Sequence, residues 1–133
     1  CRRILRASDG RVAVLWNHRR ATGSTFAEAY EAFARTQGSD DYRAIARRWE
    51  DRDALRTLFG EALPERRVFP HAQHLDLEGL RARAASSSYL PAPASSAFDG
   101  AEDALRALFH FHGQDGVVTL EYDCIVYAGP PAR

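Results

Sequence analysis

Residues 117–127, VVTLEYDCIVY, form the longest apolar stretch of the chain and decide its fold class. β-Branched and aromatic residues dominate the stretch, and only Glu121 and Asp123 carry charge. This composition is typical of a strand in the interior of a sheet. Gln114-Asp115-Gly116 predicts the turn that leads into it, and Gly129 with two prolines ends it. The last element of the chain is therefore predicted to be a central strand of the sheet.

A shorter apolar run, Val12–Trp16, predicts a second strand near the amino end. The run does not alternate with polar residues, so we expect a strand covered on both faces. An amphipathic helix at Cys1–Arg6 and a turn at residues 8–10 precede it, as at the end of a βαβ crossover. Asn17–Gly23 is then predicted to be a loop at the carboxyl end of this strand.

A third extended segment, residues 66–74, contains Pro70. Proline cannot donate a ladder hydrogen bond, so this strand is predicted at a sheet edge. Asp76 is predicted to cap a short helix after it, and a longer helix is predicted from Asp99 to His112. The segment between them, residues 86–96, is rich in serine and proline and predicts a loop.

Residues 24–60 predict three short amphipathic helices between the first two strands. Thr25 and Glu28 have capping-box spacing at the first of them. Three helices are more than a simple crossover needs, so we interpret the segment as a helical insertion or lid. Its predicted aromatic stripe consists of Phe26, Tyr30, Phe33 and Trp49.

Composition limits the class of protein. The chain has 133 residues, of which 45% are hydrophobic and 27% charged, so we expect one globular domain over residues 1–133. Its 18 basic residues are all Arg and its formal net charge is zero, which predicts no attraction to nucleic acid or to an anionic membrane. The sequence has two cysteines and no apolar run of about 18 residues, which favours a cytoplasmic protein.

The order of these elements resembles the second half of class I S-adenosylmethionine-dependent methyltransferases, in the branch whose fifth strand ends in Trp-Asn. Trp16-Asn17, the segment SSSYLP at residues 86–91 and the final strand carry the resemblance, which covers nearly the whole chain. Ala7-Ser8-Asp9-Gly10 stands where the family has Pro-Gly-Gly. The resemblance implies an α/β, partial Rossmann-like methyltransferase fold, with a three-stranded mixed sheet in the family order 5-7-6 and a helical insertion.

The same resemblance implies an enzyme that moves a methyl group from S-adenosylmethionine to a small-molecule acceptor. The family's glycine-rich cofactor loop and its ribose-binding acid have no counterpart in this sequence, so the chain corresponds to the acceptor side. The sequence also has no Met. We expect the cofactor side to be a preceding segment that was cleaved or omitted, or to be supplied by another chain. The chain alone is expected to be inactive and to bind no cofactor. The alternative is a stand-alone α+β module for ligand binding or dimerisation.

Candidate substrate-binding residues come from two places. Ligands of open α/β sheets bind beyond the carboxyl ends of strands, which points to Trp16, Asn17, His18 and Arg19. Arg83, Ser88 and Tyr89 are added from the SSSYLP region. The competing interpretation of Trp16 and Asn17 is that they pack in the core and cap a turn. The competing interpretation of Arg83, Ser88 and Tyr89 is that they belong to a loop stabilised by its own hydrogen bonds. His18 is the candidate general base, and no catalytic residue is otherwise assigned.

Two other chemistries are not favoured by the sequence. His71 and His74, and likewise His110 and His112, lack the spacing that directs two rings to one metal ion on a strand or on a helix, so no metal site is predicted. The serines of residues 86–88 do not follow a strand, and no Gly-x-Ser-x-Gly motif is present.

The final expectation concerns partners. If Arg11–Asn17 is the family's fifth strand, its outer neighbour is not in this chain, and its edge is left unpaired. We therefore expect a dimer or another association through Arg11–Asn17.

Overall fold

The structure, a computed structural model, describes residues 10–39, 42, 52–61, 64–93 and 95–132. Its elements, in chain order, are β1 (Val12–Arg19), α1 (Thr25–Gln37), α2 (Arg52–Phe59), β2 (Glu65–Leu75), α3 (Leu77–Ala85), α4 (Ser96–His112) and β3 (Val118–Gly129). Tyr42 is helical. The predicted helix at Cys1–Arg6, and the position of Trp49 in the insertion, lie outside the described residues.

The three described strands form an open antiparallel sheet in the order β1-β3-β2, and the fold is α/β. The prediction that the last strand is central is confirmed. The predicted mixed sheet is wrong, because β3 runs opposite to both of its neighbours and separates the two strands that run in the same direction.

Strand β1 is longer than the sequence predicted. It continues through Asn17 and His18 to Arg19, where a loop had been expected. The partner strand β3 has 12 residues and still offers backbone groups beyond Trp16. The pairing extends past the strand, where the amide of Arg20 donates to the carbonyl of Glu121 across 2.9 Å.

The prediction that β1 is covered on both faces is also wrong. Val12, Val14 and Trp16 are half-buried, whereas Leu15 on the opposite face is 64% exposed. An apolar run predicts a strand that other elements cover on both faces. It does not reveal whether those elements belong to the described part of the chain.

Strand β2 runs without interruption through Pro70, and its place at an edge of the sheet confirms the prediction. Proline can lie in an edge strand because its missing N–H can face away from the ladder. Most of β2 is exposed, including Phe69 at 51%.

The chain divides into two compact units. The first consists of residues 1–18, 47–71 and 122–133, and the second of residues 19–46 and 72–121. The division falls inside the predicted helical insertion of residues 24–60, so α1 belongs to the second unit and α2 to the first.

The second unit holds most of the described core. Phe26, Tyr30 and Phe33 of α1 are 5%, 1% and 6% exposed, which is the buried stripe expected from their spacing. Helix α4 contacts both α1 and α3 and buries Ala101 and Leu105. In the first unit, Phe59 and Tyr122 are the buried large side chains among the described residues.

Local signals set the ends of several elements. The Asp76 carboxylate accepts the Gly79 amide across 2.7 Å, which confirms the predicted cap of α3. The capping box at Thr25 is wrong by one residue, since Ser24 accepts the Ala27 amide across 3.0 Å and is the N-cap of α1. Before β3, Asp115 and Gly116 have φ of 50° and 77°, the positive values of a type I′ turn.

Candidate functional site

A cavity of about 510 Å³ lies in the first unit and contains two of the predicted substrate-binding residues, Trp16 and His18. Its volume is within the range of small-molecule sites. Trp16 stacks on Tyr127, with ring centroids 5.4 Å apart and an interplanar angle of 23°. The cavity therefore has a wall made of two aromatic rings.

Strand alternation explains which side chains meet in this cavity. Successive side chains of a strand point to opposite faces, so Trp16 and His18 share one face of β1. By the same rule β3 supplies Asp123, Ile125 and Tyr127. Strand β2 and helix α2 complete the lining with Arg66, Val68, Arg52 and Leu55.

The charged groups of the cavity are mainly basic. Its described lining includes two guanidinium groups, from Arg52 and Arg66, and one carboxylate, from Asp123. The Arg66 guanidinium carbon lies 6.0 Å from the centroid of the Tyr127 ring, at the outer limit of a cation–π contact. Arginine, with its planar fork of donors, is suited to carboxylate and phosphate groups.

Asn17 does not join Trp16 and His18. It lies between them in β1 and so points to the other face, where it is exposed. Its Oδ1 lies 3.2 Å from Nε2 of His71, and the His71 ring stacks on Tyr122 with centroids 5.1 Å apart. The extension of β1 as a regular strand separates the two halves of the Trp-Asn pair.

Arg19 forms a different cluster, in the second unit. Its Nη2 lies 2.7 Å from Oε2 of Glu31 and donates to the hydroxyl of Tyr42 across 3.1 Å. The Tyr42 hydroxyl in turn donates to Glu31, and the guanidinium lies 4.8 Å from the centroid of the Tyr30 ring. The Tyr42 ring also contacts Tyr89, at 4.8 Å between centroids, so this cluster brings together two predicted residues, Arg19 and Tyr89.

The cluster holds its ionisable groups in fixed protonation states. Burial favours the neutral form of Glu31, but hydrogen bonds from Tyr42, Arg35 and Arg19 outweigh it and lower the carboxyl pKa below its usual value. Burial and the bond to Glu31 raise the pKa of the Tyr42 phenol well above its ordinary range. Burial also opposes the charge of Arg19, yet the bond to Glu31 raises its pKa.

Arg83 and Ser88, the remaining predicted residues, lie at the end of α3 and in the loop after it. Arg83 donates to the hydroxyl of Ser87 across 2.9 Å, and Ser87 donates back to the carbonyl of Arg83 across 3.2 Å. Ser88 is exposed. Arg83 therefore forms hydrogen bonds within its own loop. It is not among the residues that line the cavity with Trp16 and His18.

Seven of the cavity residues were missed by the sequence analysis, and four of these carry polar groups: Arg52, Arg66, Asp123 and Tyr127. Asp123 offered the clearest signal, because a carboxylate inside a central apolar strand is costly unless it faces a polar site. Tyr127 lies four residues further along the same strand and thus on the same face. Arg52 and Arg66 gave no signal, since arginines are frequent throughout this sequence.

Neither a metal site nor a cofactor site is evident in the described part of the chain. There, no three His, Cys, Asp or Glu side chains lie together as metal ligands would. The loop after β1 carries one glycine, Gly23, at a φ of 105°, and not the glycine-rich sequence that lets a backbone approach S-adenosylmethionine. The described residues therefore do not fit this cofactor.

Comparisons with known proteins produced no match, whether to a family model, to a curated protein or to a solved structure. Among the described helices, none has the length and apolarity that crossing a membrane requires.

Proposed function

We propose that this chain is the acceptor side of a class I methyltransferase and that it binds a small-molecule methyl acceptor in the cavity of the first unit. The observation that carries the proposal is the strand order β1-β3-β2, with the last strand central and opposite in direction to both neighbours. The resemblance implies the same order for strands 5, 7 and 6 of the family, whereas the antiparallel direction of the described strands differs from the mixed sheet that it implies. A fold-level likeness supports a function only in combination with a site.

The cavity supplies that site. Trp16 and His18 lie in the carboxyl half of β1, as expected for a ligand site of an open α/β sheet. Methyl transfer depends mainly on proximity and alignment, and a rigid pair of stacked rings can orient an acceptor. The methyl group would be supplied by the cofactor, held outside the described residues. An acceptor hydroxyl also loses its proton, and His18 and Asp123 are the groups in the cavity that can accept it.

The cofactor is proposed to bind to a segment other than the residues described above, in keeping with the poor fit of the loop after β1. The proposed location is the cytoplasm.

The decisive test is to translate the coding sequence upstream of Cys1 and to express the longer protein. We expect a strand followed by a glycine-rich loop and, about 20 residues on, an acidic residue that holds the ribose. Calorimetric titration of the longer protein with S-adenosylmethionine should then give a micromolar constant. The proposal would be refuted by an initiator codon directly before Cys1, or by a longer protein that does not bind S-adenosylmethionine.

One observation favours the alternative, a stand-alone binding module. The described residues that line the cavity all belong to one compact unit, and antiparallel strands do not need a crossover connection. The upstream sequence distinguishes the two, since a module of this kind needs no glycine-rich segment before it.

A further inference from the structure

One part of the cavity wall is aromatic and preorganised. Trp16 and Tyr127 lie on neighbouring strands and already stack on each other, so a ligand that packs against them does not have to order either ring. Leu55, Val68 and Ile125 extend the apolar lining. A planar ring therefore matches this part of the lining better than a flexible chain.

The charge of the cavity is local and positive. Among the described lining residues, Arg52 and Arg66 carry two positive charges and Asp123 carries one negative charge, so their formal charge is +1 with His18 counted as neutral. The whole chain has a formal net charge of zero, so this surplus is not a property of the general surface. Guanidinium groups beside an aromatic wall favour a ligand with an anionic group attached to its ring.

From this juxtaposition we propose that the cavity selects a planar aromatic anion, such as an aromatic carboxylate. Its ring packs on Trp16 and Tyr127, and its carboxylate pairs with Arg66 or Arg52. The assignment of this ligand as the methyl acceptor rests on the proposed function. The selectivity of the cavity for aromatic anions does not depend on that function.

Three small probes test this selectivity on the chain itself: 2-naphthoate, 2-naphthylmethanol and cyclohexanecarboxylate. The second keeps the rings and removes the charge, and the third keeps the charge and removes the aromatic plane. Binding is measured by calorimetry and by NMR shifts of the Trp16 indole and His18 ring signals. We expect 2-naphthoate to bind roughly fivefold more tightly than 2-naphthylmethanol, the size expected for a partly exposed ion pair. We expect a similar ratio of roughly fivefold over cyclohexanecarboxylate, the size expected for a contact between aromatic rings.

Two neighbouring arginines provide a matched pair of variants. Arg66→Gln removes a charge from the cavity, whereas Arg67→Gln removes one from a side chain that is 67% exposed and pairs with Glu65 at 2.6 Å. We expect Arg66→Gln to weaken 2-naphthoate binding roughly fivefold and to leave 2-naphthylmethanol unaffected. Arg67→Gln should change neither constant.

Equal affinity for 2-naphthoate and its alcohol, equal losses in the two variants, or no binding of any probe would each overturn the inference. Cofactor binding by the longer protein is measured separately. If that binding fails while the probe selectivity holds, the cavity selects aromatic anions and the methyl-acceptor assignment falls. If the cofactor binds and the probe selectivity fails, the inference falls and the proposed function stands.

Discussion

Arg19 Nη2 lies 2.7 Å from Glu31 Oε2, and this ion pair ties the last residue of β1 to the middle of α1. The two side chains are only 10% and 16% exposed. Tyr42 donates to the same carboxylate. The sequence had suggested Arg19 as a ligand for substrate, whereas the structure shows it engaged in holding a helix against a strand end.

We expect Arg19→Gln to lower the free energy of unfolding by about 2 kcal/mol, because a largely buried carboxylate loses a charged partner. The control is Arg35→Gln, since Arg35 pairs with the same carboxylate at 2.8 Å but is 66% exposed. Its loss should cost about 0.5 kcal/mol or less. Urea denaturation measures both, and similar losses in the two variants would contradict the structural role of Arg19.

The lowered pKa of Glu31 predicts an acid-sensitive stability. A carboxyl group whose pKa is lower in the folded state stabilises the fold above its unfolded pKa, and this stabilisation is lost as pH falls through the folded pKa. The loss should thus begin near the ordinary glutamate value of 4.5 and continue below it. Urea midpoints over this range should show a smaller acid-induced loss in Glu31→Gln than in the wild type.

A companion variant tests the cause of this shift. Tyr42→Phe removes a hydroxyl that donates to Glu31, so the Glu31 pKa should rise toward its ordinary value. NMR titration of the side-chain carboxyl carbon reports the pKa directly. An unchanged Glu31 pKa in Tyr42→Phe would mean that the arginines alone hold the carboxylate.

The cap of α3 should be worth about 1 kcal/mol, the usual cost of replacing an N-cap aspartate by alanine. Asp76→Ala removes the acceptor of the Gly79 amide. Asp99→Ala is the control, since Asp99 lies in the first turn of α4 without being its cap. Thermal or urea unfolding should separate the two, and an equal effect would show that charge near the helix dipole matters more than the cap bond.

The exposed strand β1 is expected to mediate association, as the sequence suggested for Arg11–Asn17. It is an edge of the described sheet, and Leu15 is 64% exposed. Light scattering at micromolar concentration should give about twice the chain mass of 14.8 kDa. Ala13→Lys, which adds a charge to this edge, should shift the protein toward monomer, whereas Ala82→Lys on the exposed side of α3 should not. A wild-type monomer would rule this association out.

The chain by itself is expected not to bind S-adenosylmethionine. Its sequence has no glycine-rich loop after a strand, and Gly23 stands alone after β1. Calorimetric titration of the isolated chain should show no heat of binding. A micromolar constant would reveal a complete cofactor site of another kind.

Much of the fold follows from local patterns. The central place of β3 follows from a long run dominated by β-branched and aromatic residues, and the edge position of β2 follows from the N–H that Pro70 lacks. The cap at Asp76 and the turn at Asp115-Gly116 depend on contacts within a few residues, so the sequence reveals them. For the candidate site, the sequence indicated Trp16 and His18 but not the arginines opposite them.

Tertiary structure decided the rest, because it depends on which distant groups meet. The extension of β1 to Arg19 requires the length of β3, and this extension sends Asn17 to one face and Trp16 to the other. No local pattern reveals that Arg19 meets Glu31, or that Arg66 lies beside Tyr127. By itself the sequence determined the types of the elements and the strand order, through hydrophobic pattern and backbone chemistry. The pairing of side chains across elements, and with it the aromatic and basic character of the cavity, was determined only by the packed chain.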